Sequence, residues 1–87
     1  MNTTQRLQAA KKLISNRKNW CKGFYLFKGK HCAIGALKAV GWSLKADNLL
    51  DKAAVRMGYE CAIVLNDDGT HKLVMKMFDA AIRASKK

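Results

Sequence analysis

Leu7, Ala10, Leu13 and Ile14 recur three and four positions apart among polar residues, the spacing of one buried helix face. The pattern predicts a first helix capped by Asn2 or Thr3 and running to about Asn16. Lys11 and Lys18 fall on one flank of its stripe, Arg6 and Arg17 on the other, and Lys12 points away. A second helix is expected from about Cys32 to Val40, stopping at Gly41. Gly35 inside it costs roughly 1 kcal/mol against alanine, a sign that another backbone comes close there. Ser43 opens a third helix with Ala46, Leu50, Ala53, Ala54 and Met57 inward, ended by Gly58. Thr70 caps a last helix whose inward face is Leu73, Val74, Met77, Phe78, Ala81 and Ile82.

Two stretches break the helical period. "NWCKGFYLFKGKH" clusters Trp20, Phe24, Tyr25 and Phe27, punctuated by Gly23 and Gly29, which fits a short hairpin or ordered loop over about 20–30. Basic residues interleaved with rings resemble a stacking surface for single-stranded nucleic acid. The competing expectation, preferred here, is that the rings fill the core, because a domain this small needs its largest side chains inside. Cys61 to Leu65 is a five-residue apolar run before the turn cluster "NDDG", read as a strand or buried extended segment. The fold class is therefore mainly α, with α+β as the alternative: about four short helices plus extended segments at about 20–30 and 61–65.

Composition narrows the class further. Eighty-seven residues, 49% apolar and without proline, make one small globular domain covering 1–87, a monomer or small homo-oligomer. No run of eighteen apolar residues occurs, and the first twelve residues lack the apolar core of a secretory signal. Three cysteines, Cys21, Cys32 and Cys61, cannot all pair within the chain and suit a reducing compartment. The expected location is the cytoplasm of a bacterial cell, with no membrane partner.

Charge changes the picture most. The chain carries +11, and its first acidic residue is Asp47. Ten basic residues precede it unopposed, whereas seven basic residues after it face all six acids. Such asymmetry points to a polyanionic partner, nucleic acid or nucleoprotein, with an acidic protein surface as the alternative. The contacts expected from the N-terminal half are Lys11, Lys12, Arg17, Lys18, Lys22, Lys28 and Lys30, touching phosphates with little regard to base. No zinc-finger, homeodomain or ribonucleoprotein signature is present.

Catalytic chemistry has less material. Cys21, His31, Cys32, Cys61 and His71 lack the paired spacing of a zinc site, so no metal and no cofactor is expected. Cys32 at a helix start, followed in the chain by Asn66 or Asp67 and by His71, supplies the residue types of a cysteine hydrolase. Cys32 also opens the small apolar run "CAIGAL", where a cysteine is ordinarily buried packing. The expectation is a helix start with Cys32 turned inward and His31 outward, and a chain that is not an enzyme.

Three short motifs run through this pattern: Trp20-Cys-Lys-Gly23, "CAIGAL" at Cys32 to Leu37, and Asn66-Asp-Asp68 before an amphipathic helix. Their order over roughly residues 5 to 83 resembles a small uncharacterised family found in bacteria, notably actinobacteria, and in tailed phages. The resemblance implies a common fold and no particular activity. On it, Trp20, Gly23, Cys32, Gly35, Asn66 and Asp67 read as scaffold, with Trp20 over Cys32 and Gly35, and Asn66 and Asp67 tying loop amides to the last helix. Phage membership opens a second functional expectation, an inhibitor of host machinery or defence, of anti-CRISPR type, acting by protein contact.

Overall fold

A computed structural model describes all of residues 1–87. Helix α1 (Thr3–Leu13) is set by a reciprocal cap: the Asn2 side chain accepts from the Gln5 amide, and the Gln5 side chain accepts from the Asn2 amide. It ends at Leu13 rather than Asn16, so Arg17 and Lys18 lie on a separate 3-10 turn, Arg17–Asn19, capped by the Asn16 side chain. After the hairpin strands β1 (Leu26–Phe27) and β2 (Lys30–His31) come α2 (Ala33–Gly41), α3 (Leu44–Arg56), α4 (Ala62–Asp68) and α5 (His71–Ser85). Ser43 and Thr70 cap α3 and α5 through their hydroxyls, as their sequence positions predict. The mainly helical class holds, with five helices instead of four.

The fifth helix is α4, which replaces the extended segment expected at 61–65. Its β-branched residues have poor helix propensity, and tertiary contacts overrule them. Ala62, Leu65 and Asn66 face inward at helical spacing, and the Asp51 carboxylate of α3 accepts the Ala62 amide at 2.9 Å. That cap comes from eleven residues away, outside the reach of any local pattern. Asn66 and Asp67 therefore belong to the last turns of α4 and are not part of a loop before the following helix.

Helix α5 packs against α3 and α1, and α2 against α1. Eight of the eighteen residues in the apolar core are alanines, and Phe78 is its sole ring. Small side chains let the helices approach closely, so one ring is fully buried while Trp20 and Tyr59 pack half-buried against the core. The hydroxyls of Thr4 and Ser85 meet at 2.6 Å, tying the start of α1 to the end of α5. No helix is long and apolar enough to cross a membrane.

The rings expected inside are the main correction. Phe24, Tyr25 and Phe27 are 57%, 50% and 44% exposed, with Leu26 at 61%. The reason lies at Gly35 on α2. A Cβ there would overlap the Tyr25 carbonyl and sit 2.6 Å from its carbon. The hairpin thus rests on α2 through main-chain atoms, and its side chains are turned to solvent. The close backbone approach signalled by Gly35 is present, made by Tyr25 and not by Trp20.

Candidate nucleic-acid interface

Residues 20–33 are held by one buried side chain. Asn66 Oδ1 accepts the Trp20 indole N–H at 2.7 Å and the Ala33 amide at 2.9 Å. Its amide nitrogen donates to the Cys21 carbonyl and to Asp67 Oδ1, both at 3.1 Å. Two acceptances and two donations use the full capacity of an asparagine. Asp67 Oδ1 also accepts the Gly23 amide at 2.9 Å. Thus Trp20, Gly23, Asn66 and Asp67, far apart in the chain, form one polar bolt joining α4 to the hairpin's leading arm and to the start of α2. The Trp20 ring leans on His71 at 5.5 Å between centroids.

Cys21 and β2 continue the clamp. The Cys21 amide donates to the His31 carbonyl at 3.0 Å, and the Cys21 thiol lies 3.5 Å from the Phe24 and Lys30 carbonyls. Leu26 pairs with His31, and Phe27 with Lys30, leaving Lys28-Gly29 as a two-residue turn. Both have positive φ, 51° and 79°, the geometry that favours Asn-Gly and that costs a lysine strain.

Cys32 is buried and caps α2, its sulfur accepting the Gly35 amide at 3.3 Å. Burial raises its pKa, outweighing the opposing hydrogen bonds from Gly35 and Ile34, so at neutral pH it is a thiol and a poor nucleophile. Burial likewise raises the Cys21 pKa, with Lys30 pulling the other way. His71 Nε2 lies 2.8 Å from the Ile14 carbonyl. The residues with a hydrolase's chain order are each engaged in holding structure together. No three His, Cys, Asp or Glu side chains cluster as a metal site.

The expected basic residues divide into two groups. Lys11 on α1 makes an ion pair with Asp79 of α5 at 2.6 Å, and Lys12 lines the same shallow depression. Arg17, Lys18, Lys22, Lys28 and Lys30 are all exposed along the continuous segment from the 3-10 turn, which packs on β2, to the hairpin. Lys22 lies over Trp20 at 5.7 Å, Lys28 over Phe27 at 5.3 Å, and Lys38 of α2 over Tyr25 at 4.9 Å. Phe24 and Phe27 stack at 4.9 Å with their planes 20° apart. Four of the six acids, Asp47, Asp51, Asp67 and Asp79, are spent as acceptors within the fold.

Sequence reasoning missed three contributors: the exposed faces of Phe24, Tyr25 and Phe27, the ring-facing Lys38, and Ile63, which stands exposed on α4 beside the hairpin. The signal for the first was present, since Lys22, Lys28 and Lys30 bracket the run of rings from Phe24 to Phe27. Lys38 and Ile63 arrive through tertiary structure alone.

No curated protein matches the chain, and no solved structure does. One family match does cover it, and that match takes in both sides of the polar bolt, from Trp20 and Gly23 to Asn66 and Asp67. Over residues 1–84 the chain belongs to DUF6197, a family of unknown function.

Proposed function

We propose that the protein is a non-enzymatic binding protein that docks on single-stranded nucleic acid through its hairpin and the preceding 3-10 turn. The observation that carries this reading is the pairing of outward rings with ammonium groups, Lys28 on Phe27 and Lys38 on Tyr25, with Lys22 over the half-buried Trp20. An unpaired base offers a flat face to a ring while its phosphate meets the neighbouring cation. A duplex hides the flat faces of its bases, so the rings favour single strands. The strained turn supports the same role. Lys28 holds a positive φ where asparagine is easier, the kind of local conflict found where a side chain is needed for binding. Three free thiols suit a reducing compartment, in keeping with the cytoplasm of a bacterial cell.

The test is a fluorescence-anisotropy titration of a labelled 12-nucleotide single strand and its duplex. With four phosphates contacted, affinity for the single strand falls roughly 50-fold between 50 and 200 mM salt. Replacing Lys22, Lys28 and Lys30 by alanine flattens that dependence. Equal affinity for duplex and single strand, or no response to salt, refutes the reading.

A second reading is an inhibitor of host machinery acting by protein contact, of the anti-CRISPR kind if phage-encoded. The exposed aliphatic side chains Leu26 and Ile63 beside the rings favour it, because aliphatic patches of this kind serve protein interfaces. Pull-down from bacterial lysate separates the two. A partner retained after nuclease treatment supports inhibition, whereas loss of every partner supports the nucleic-acid reading.

A further inference from the structure

Between the hairpin's leading arm and α4 lies a cleft of about 320 Å³ lined by Gly23, Phe24, Tyr25, Cys32, Ile63 and Asp67. That volume is at the small end of ligand sites and suits one planar ring system. Its walls are apolar apart from one carboxylate. Asp67 Oδ1 is fully employed, accepting from Gly23 and Asn66, while Oδ2 has no protein partner. The scaffold needs only that one oxygen, which an asparagine would supply without charge. A carboxylate on a surface that receives a polyanion opposes that binding, so its charge calls for a use.

We infer that this cleft takes a single unstacked base bearing an exocyclic amino group, with Asp67 Oδ2 accepting an amino N–H. The inference rests on the single-strand reading and deepens it, giving base preference to a surface otherwise indifferent to sequence. Lys22, next to Gly23 in the chain, supplies a cation for a flanking phosphate, and Phe24 and Ile63 cover the faces of the ring. Adenine, cytosine and guanine each present an amino donor. Thymine and uracil present carbonyl oxygens on both sides of their ring N–H, and these repel a carboxylate.

The experiment compares labelled dT12 with three 12-mers carrying one central dC, dA or dG in the same thymidine context. Each substituted strand is expected to bind about tenfold tighter than dT12, the scale of one hydrogen bond to a charged acceptor. Asp67→Asn keeps the carbonyl that holds Gly23 and Asn66 and turns an NH2 donor into the cleft. It therefore melts near the wild-type temperature and inverts the preference toward dT12. An inversion of this kind is something a purely structural role for Asp67 does not produce. If all four strands bind equally, or Asp67→Asn leaves their ranking unchanged, the cleft inference is overturned while the single-strand reading stands. If no strand binds, both fall.

Discussion

The bundle of α1, α3 and α5 and the hairpin segment 20–31 are held by opposite means. In the bundle, side chains from Leu7 to Ala81 disappear from solvent, and most backbone groups bond within their own helix. In the hairpin, main-chain atoms are gripped by Asn66, Asp67 and the Gly35 surface, while the side chains stay outside. Apolar burial stabilises whatever it hides, so it cannot also present those groups to a partner. Hydrogen bonds to main-chain atoms free an adjoining set of rings and lysines for contact with other molecules. The difference separates a region that buries its side chains from one that leaves them exposed.

The comparison breaks most directly in the bundle. Phe78→Ala empties the one ring from the core and is expected to cost about 3–5 kcal/mol in urea unfolding, a large share of the stability of a domain this size. Asn66→Ala leaves the Trp20 indole and the buried Ala33 amide without their acceptor, costing about 3 kcal/mol. Here the pattern matters more than the size. Hydrogen exchange should accelerate over residues 20–33 ahead of α5, and uniform acceleration would show that the two regions are not separately held.

Gly35→Ala sharpens the contrast further. The methyl gains helix propensity but strikes the Tyr25 backbone, for a net loss of about 2 kcal/mol. Amide shifts confined to the hairpin and α2 are the expected signature. Replacing Phe24 and Phe27 together by alanine should alter stability by about 0.5 kcal/mol or less. The same double change should weaken single-strand binding at least tenfold. A stability loss comparable to that of Phe78→Ala would mean the rings are core after all.

The smallest effect concerns Cys32. Its folded pKa is raised by burial, so the fold favours the neutral thiol. That contribution is complete below the ordinary thiol pKa and is lost as pH climbs from there through the raised value. At pH 8 iodoacetamide should label Cys32 far more slowly in the folded protein than in urea. Rapid folded-state labelling would revive the hydrolase alternative.

Much of the bundle was legible because its determinants are local. Asn2, Ser43 and Thr70 announce helix starts, and the apolar stripes of α3 and α5 give their buried faces. Gly35 discloses a close contact without naming its partner. Helix α4 was not legible, since its cap comes from Asp51 and its inward turn is held by Asn66 bonds to distant backbone. The placement of the rings failed for another reason. Size argues that aromatics belong inside a small domain, and nothing in the chain's periodicity reveals that alanine-lined helices can close without Phe24, Tyr25 and Phe27. The basic residues were legible as a set, but their division was not: pairing of Lys11 with Asp79 depends on α1 lying beside α5.

The seat of Tyr25 on Gly35 has a practical corollary. A protrusion whose attachment is written in carbonyls and amides places few demands on which residues crown it. Between Gly23 and His31, then, the tip is an exchangeable head on a constant base. Loops with other surfaces can be grafted there without redesigning the helices that carry them.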